Sequence, residues 1–457
     1  MDDSSIGTDT SEQYATVMAG LSEPQRRAVT HEDGPLIVLA GPGTGKTRVI
    51  TARVAQMINE RGIEPDRIAA VTFSNKAAGE LGDRLGGLIG QTRAARVSAS
   101  TFHQLGLGII RRFGDVLGIA SDPVLIDSAQ RNMLVMEIIR GGGLYRRSLG
   151  RGIERARDHA VGVMSCLRNL GMWPDEGRAW GQERRGAIDA LDEDQRDAER
   201  YELDRFADAV EVYDRFTKAC VDRGWIDFDD LIMLPTRLIR SDTLVASVVR
   251  SDCRHVVVDE FQDVNRAQIE MIRAICPPEQ GPDLCVVGDD DQSIYGFRGA
   301  DDRAFAHFAQ IWSGAETIEL TENYRSAECV VDASNAVIMN AALRFAPDKV
   351  GRSHRGEIDG SGLELVRVES HEQIGEAIVS LLLRMIDEGG EGFDLSDVAI
   401  IARTNTELER IARMLELEGV PFELRERRAP MDDPGAQDVL AWARLITESG
   451  GDRKSVV

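Results

Sequence analysis

The stretch that most constrains this chain is Ala40-Gly41-Pro42-Gly43-Thr44-Gly45-Lys46-Thr47. An apolar run, residues 35–39, precedes it, and a segment of helical character, residues 48–59, follows. A strand, a glycine-rich turn and a helix opening on Gly-Lys-Thr form the layout of a phosphate-binding loop. Glycines let backbone N–H groups converge on phosphate oxygens, and the helix N-terminus adds a favourable dipole. Lys46 is placed to reach the β- and γ-phosphates and Thr47 to ligate Mg²⁺ through its hydroxyl. One position departs from the pattern: Ala40 stands where glycine is usual. A loop of this kind predicts an α/β fold with a parallel sheet, because parallel strands connect through helices and deliver their loops to one edge.

At 457 residues there is length for two to four domains. The first twenty residues are polar and acidic, without the basic and apolar regions of a signal peptide. No run approaches the roughly eighteen apolar residues of a membrane span. A cytoplasmic protein is the expectation. The six cysteines include no Cys-x-x-Cys pair, which argues against zinc, iron–sulfur or a disulfide framework. The formal charge of −23 runs against a general nucleic-acid surface but says nothing about a local site. Lysine is scarce: five residues (46, 76, 218, 349 and 454) against 49 arginines.

Ser22 with Gln25 three residues on is a capping-box pattern opening a helix. Apolar runs at 68–73, 97–102, 255–258, 284–287 and 317–320 read as further strands. Between 106 and 227 strand signals fade and helical spacing dominates, as in Leu203, Phe206, Val210 and Tyr213. That stretch carries a basic block at 140–157 and an acidic block at 187–214. The acidic block is expected to be a solvated helix face; a phosphate contact and a solvated face remain open for the basic one. Runs at 363–368 and 398–401, with helices near 374–386 and 407–418, suggest a second α/β unit after a linker at 352–362.

The run His255-Val-Val-Val ends in Asp259-Glu260, two carboxylates at a strand's C-terminal end. A nucleotide-bound Mg²⁺ needs a carboxylate and hydrolysis needs a base, so Asp259 suits the metal and Glu260 the base. Residues 286–300 add a strand end, three aspartates, Gln292, Tyr295, Phe297 and Arg298. Gln292 could sense a γ-phosphate, while the aromatics and Arg298 could stack on bases or pack in the core.

Taken together and in this order, these blocks resemble the UvrD/Rep/PcrA-type DNA helicases of superfamily one. Leu-Ser-Glu-Pro-Gln25 is similar to the adenine-reading Q motif, and residues 41–47 to motif I. Val-Thr-Phe73-Ser-Asn75-Lys76 is similar to motif Ia, and Ser-Thr101-Phe-His103 to motif Ib. Asp259-Glu260-Phe-Gln262-Asp263 resembles motif II, residues 288–300 motif III, and Asn323-Tyr324-Arg325-Ser326 motif IV. The resemblance implies that Gln25 binds adenine, with Arg48 and Tyr324 packing on the base. Residues 40–47 would hold the phosphates; Lys46, Glu260, Gln292 and Arg325 would serve hydrolysis, Arg325 as an arginine finger across the cleft. Thr47 and Asp259 would hold Mg²⁺. Phe73, Asn75, Thr101, His103, Tyr295, Phe297 and Arg298 would line the track of single-stranded DNA, Phe297 standing where tryptophan is usual.

The fold so implied is a RecA-like P-loop motor domain with a helical insertion, plus the first part of a second RecA-like domain. The expected divisions are a polar N-terminal tail (1–20), the first motor domain in two parts (21–105 and 228–313), the helical accessory insertion (106–227) and a partial second motor domain (314–457). Motifs V and VI do not appear, so the chain reads as truncated before them, with a complementing polypeptide as a partner. The implied function is an ATP-dependent, 3′→5′ DNA helicase or translocase using ATP and Mg²⁺ on single-stranded DNA and single-strand/duplex junctions, in repair or replication. The alternatives are a nucleotide- and DNA-binding module without motor activity, and the motor subunit of a helicase–nuclease complex.

Overall fold

Six short runs pair as one parallel sheet in the computed structural model, which describes residues 3–120, 122–146, 152–188, 193–358, 362–388 and 394–424. We number the strands β1 (Pro35–Ala40), β2 (Ile68–Thr72), β3 (Ser98–Thr101), β4 (His255–Val258), β5 (Asp283–Gly288) and β6 (Glu316–Leu320). Their order across the sheet is β3-β2-β4-β5-β1-β6. The register puts Leu39 beside Gly288 on one side and Ala40 beside Leu320 on the other. Helices cover both faces, so the inner strands are near-continuous apolar runs. The pleat divides β1 between two cores. Leu36, Val38 and Ala40 pack with Val54 and Leu85 on one face, and Ile37 and Leu39 with Phe261 and Ile269 on the other.

The chain divides into two compact units, at Gly362 and Leu363. The sheet, the insertion and residues through Gly362 belong to the first. This differs from the expected division at 314. Strand β6 bonds to β1 along five register pairs and extends the first sheet as an edge strand. Its Ile318 and Leu320 are buried while Glu316, Thr317 and Glu319 face out, the alternation of a half-covered strand. The N-terminal segment is also not a tail. Residues Asp3–Ala19 form a helix whose Tyr14, Val17 and Met18 pack on the second core, and Tyr14 Oη donates to Glu60 Oε1 at 2.6 Å.

The helix Phe102–Phe113 runs across residue 106 and belongs with the six-stranded sheet through Phe102 and Ile109. It lies against the helix Asp230–Ser241, and a Cβ at Gly106 would come within 1.8 Å of the Leu231 carbonyl oxygen, so only glycine permits this approach. The insertion leaves through Val124–Leu125 and returns through Trp225–Ile226, which pair as a two-residue parallel ladder. Between them the helices Ser128–Gly142, Ile153–Asn169, Pro174–Ala187 and Glu193–Arg223 build a core of their own around Val135, Met164, Val212 and Phe216. Buried Arg168 ties this module back to the start of the helix Asp230–Ser241, its guanidinium reaching Asp227 at 2.5 Å and Asp230 at 3.1 Å. Asn169 accepts at 3.0 Å from Asn265, the N-cap of helix Arg266–Ile275. Within the acidic block Asp204 and Asp214 pair with Arg185 and Arg178 on the neighbouring helix. Residues 147–151 of the basic block lie outside the described residues.

In the second unit the helices His371–Glu388 and Asn405–Leu417 share an apolar cluster of Val379, Leu382, Ile411, Leu415 and Val420. The runs at 363–368 and 398–401, expected as strands, form no ladder. A strand needs a neighbour for its N–H and C=O groups, and among the described residues none pairs with them; Leu365 and Ile401 are 97% and 91% exposed. No helix among the described residues is long and apolar enough to cross a membrane, and the cysteines are all free.

Candidate functional site

The C-terminal ends of β1, β2, β3, β4 and β5 carry the loop of residues 41–47, Phe73-Ser74-Asn75, the start of the helix at Phe102, Asp259-Glu260 and residues 289–292. Parallel strands bring all five to one edge of the sheet, where α/β sites form. In the loop, Gly43 and Gly45 take left-handed conformations, with φ of 70° and 84°. A Cβ at Gly43 would strike Asn323 Oδ1 at 2.5 Å. Ala40 needs no such freedom: it is the last residue of β1, bonded in the sheet and fully buried, which accounts for the departure from glycine. Lys46 and Thr47 open the helix Lys46–Asn59, and Thr44 Oγ1 closes the turn on the Gly41 carbonyl at 2.7 Å.

Gln25 is buried and joins two elements. Its Oε1 accepts from the Ser22 N–H at 3.0 Å, completing the capping box, and its Nε2 donates to the Thr44 carbonyl at 2.9 Å. The residue read as an adenine contact therefore also supports the loop. Tyr324 N–H donates to the Gly43 carbonyl at 2.9 Å, and Asn323 Oδ1 accepts from the N–H groups of Arg325 and Ser326. Arg325 is thus hung on the loop's own compact unit, exposed, its Cβ 2.8 Å from a Cβ built at Gly43. By contacts Arg325 falls in the first compact unit, with the loop, and not in the second. Arg48 donates to the Val17 carbonyl at 3.2 Å, engaged by the N-terminal helix.

Lys46 Nζ lies 2.9 Å from Glu260 Oε2, and the same oxygen accepts from Gln262 Nε2 at 2.8 Å. Glu260 itself is held in the left-handed region (φ 50°, ψ 46°), a conformation that costs a non-glycine residue about 1–3 kcal/mol and clusters at functional sites. Burial and the neighbouring Glu260 push Asp259 up to about 6. The same two causes push Asp263 up to about 6, and its Oδ1 is buried without a hydrogen-bond partner. The three acids feel one nearby lysine, Lys46, which pairs with Glu260, and they are hard oxygen donors of the kind a divalent cation such as Mg²⁺ takes.

Beyond the carboxylates, aromatic rings form a short ladder. Phe73 stacks on Tyr295 at 5.3 Å and 21°, and Tyr295 meets Phe297 at 6.0 Å. The Arg298 guanidinium lies over both, 5.1 Å and 5.5 Å from the ring centres. Phe297 is 80% exposed and Phe73 46%, unlike core aromatics. Asn75 is exposed at the start of helix Asn75–Ile89. Thr101 is not: it is buried, and its hydroxyl accepts from the Gln104 N–H at 3.3 Å as the helix N-cap. His103 stacks at 3.8 Å on Phe228, and burial pushes its imidazole down to about 4, so it is neutral at pH 7. The sequence reading missed Phe228, a half-exposed aromatic set among aspartates, and assigned no role to Gln262 or Lys349. Gln262 accepts from the Asp289 N–H at 3.0 Å, joining the carboxylate loop to the aspartate turn.

Comparison with known proteins agrees with this layout. Residues 21–311 match the UvrD/REP helicase N-terminal domain, and residues 318–452 the UvrD-like helicase C-terminal domain. ATP-dependent DNA helicase Rep of Salmonella typhimurium is 32% identical over 433 residues, covering 94% of this chain and 59% of the relative. ATP-dependent DNA helicase UvrD1 of Mycobacterium tuberculosis is 31% identical, over 95% of this chain and 53% of its own length. ATP-dependent DNA helicase PcrA of Leuconostoc citreum is 30% identical, over 94% and 53%. The chain thus spans a little more than half the length of these relatives. With the N-terminal domain match alone taking in well over half of its residues, the chain belongs to the UvrD/REP helicase family.

Proposed function

We propose that this chain binds ATP with Mg²⁺ at residues 40–47 and couples hydrolysis to movement along single-stranded DNA, as part of an ATP-dependent DNA helicase or translocase. The observation that carries the reading is the adjacency of two sites in one unit: Lys46 paired with Glu260, and the Phe73–Tyr295–Phe297 ladder hung from the ends of β2 and β5. Lys46 exchanges Glu260 for phosphate when nucleotide binds, which frees Glu260 to orient and deprotonate water. Thr47 and Asp259 are the residues that would hold Mg²⁺, which supplies charge neutralisation at the β- and γ-phosphates. Gln25, Arg48 and Tyr324 serve the adenine, Gln292 senses the γ-phosphate, and Arg325 stands beside Gly43 as the arginine for the transferring group. Asn75, His103 and Arg298 flank the stacking rings on the DNA side. Thr101 acts there through its helix cap.

The names of the relatives support duplex unwinding as the output, and the resemblance adds 3′→5′ polarity, preference for single-strand/duplex junctions, a repair or replication setting and a cytoplasmic location. The matched stretch takes in 59% and 53% of two of these relatives, and a complementing polypeptide carrying motifs V and VI is the further partner proposed. ATPase assays of the purified chain with and without an oligo-dT strand test the proposal. Turnover raised at least tenfold by DNA and abolished in Lys46→Ala is expected. Nucleotide and DNA binding with no turnover, even with the complementing part added, would leave only a binding module.

A further inference from the structure

In a chain that uses arginine almost everywhere, lysine marks places that arginine cannot fill. Of the described lysines, Lys76 and Lys218 are exposed and Lys46 sits in the phosphate loop. Lys349 is the remaining one, and it is 7% exposed. Its Nζ lies 2.5 Å from Asp289 Oδ1, 2.6 Å from Asp290 Oδ1 and 3.1 Å from Asp291 Oδ2. Arg344 adds a two-pronged contact to Asp291 at 2.7 and 2.8 Å, and the Phe345 N–H donates to Asp290 Oδ2 at 2.7 Å. The three carboxylates stand close enough together to ligate a cation. The ammonium occupies that role, so the cluster is an ion-pair centre and not a metal site. Burial disfavours the lysine charge, yet Asp289 and Asp290 overcome it and hold the ammonium above its ordinary value. A compact cation with three donors fits three converging acceptors; a planar guanidinium does not.

The turn so held leads directly to the nucleotide site. Asp289 engages Lys349 through Oδ1, and through Oδ2 it accepts from Gln292 Nε2 at 2.6 Å. The Asp289 N–H meets Gln262, Gln262 meets Glu260, and Glu260 meets Lys46. A continuous polar line therefore runs from the phosphate-loop lysine to Lys349. Without the ammonium, Asp289 Oδ1 loses the cation that fixes it, the carboxylate turns, and the Gln292 carboxamide loses its fixed direction.

We propose that Lys349 is a positioning residue for the nucleotide site, which by clamping the Asp289–Asp291 turn orients Gln292 and sets how strongly the protein distinguishes a nucleoside triphosphate from a diphosphate. The inference rests on the reading of residues 40–47 as a triphosphate site. The test uses the full chain, fluorescent ADP and a fluorescent non-hydrolysable ATP analogue, and equilibrium titration, so that it needs no turnover. In Lys349→Met, ADP affinity stays within about twofold while the preference for the triphosphate falls by roughly five- to tenfold, the size of one lost oriented hydrogen bond. Gln292→Ala produces the same loss, and the two together lose no more than either alone. Lys349→Arg does not rescue. Should unpaired aspartates unfold the single variant, Lys349→Met in an Asp290→Asn, Asp291→Asn background removes two of those charges and is expected to show the same loss. Wild-type preference in either Lys349→Met protein, or full additivity with Gln292→Ala, overturns the proposal. If the unaltered chain binds neither nucleotide, the loop reading itself fails and this inference with it.

Discussion

Gln25 offers a way to separate support of the phosphate loop from recognition of the base. Its side chain is 3% exposed, with Oε1 accepting from Ser22 N–H and Nε2 donating to the Thr44 carbonyl. Gln25→Glu keeps the first contact, because glutamate serves equally at that position of a capping box. It removes the second and points a carboxylate oxygen at a carbonyl. Losing a neutral hydrogen bond costs about 0.5–1.5 kcal/mol, and leaving a buried acceptor unsatisfied about 1–3 kcal/mol. If roughly 1–2 kcal/mol of loop order must then be supplied during binding, affinity falls about five- to thirtyfold. The loss falls on the phosphates, so it is the same for every triphosphate. Competition titrations with ATP, UTP and inorganic tripolyphosphate read this directly, with a urea melt to check that the fold is intact. UTP and tripolyphosphate are expected to weaken by this factor, and ATP by at least as much because its adenine contact is altered too. Weakening of ATP alone would refute the reasoning and leave Gln25 as a reader of the base only.

Three further outcomes follow from the same structure. Phe297→Ala should weaken binding of an oligo-dT strand by about 1–3 kcal/mol, roughly five- to 150-fold by fluorescence anisotropy. Its melting temperature should not move, because the ring is 80% exposed; unchanged DNA affinity would remove Phe297 from the track. Asp283 holds buried Arg53 at 3.0 Å, His255 at 2.7 Å and Arg61 at 3.4 Å, and Asp283→Ala should cost about 3–5 kcal/mol in a denaturant melt by stranding Arg53. Burial alone would raise this carboxyl, but the His255 hydrogen bond and the charges of Arg53 and Arg61 hold it below its ordinary value. A depressed carboxylate stabilises the fold above that value and loses its contribution as pH falls through the folded one. The wild type should therefore shed this stability in the acid range below about pH 4, and Asp283→Asn should lack that step.

The strands of the sheet were legible because buried parallel strands leave little choice: residues 256–258 and 284–287 are apolar and lead into the carboxylates that the site uses. The loop was legible for the same reason, since its glycines answer a local steric demand. What escaped the reading was set by contacts distant in sequence. Strand β6 looks like any alternating strand, and nothing in Glu316-Thr-Ile-Glu-Leu says that its neighbour is β1. The stripe of Tyr14, Val17 and Met18 is too short to stand out in a polar segment, though it suffices to seat a helix. Thr101 was placed on the DNA track by the resemblance alone; that its hydroxyl caps the helix carrying His103 appears only in the structure. Lys349 carried a signal in its rarity alone, and its role appeared only when the turn of three aspartates folded around it.

The attachment of the helical insertion has a mechanical consequence. A module joined by a single strand of chain can swivel; one joined by two paired segments and pinned by Arg168 and Asn169 cannot. It is a bracket and not a hinge. Force applied to its far end is delivered where Asp230 and Asn265 begin their helices, the latter just past the Asp259-Glu260 carboxylates. Asn169 also lies within 2.4 Å of where a Cβ at Gly299 would stand, next to the aromatic ladder. One asparagine of the insertion thereby touches the segments that lead from both the carboxylates and the aromatic ladder.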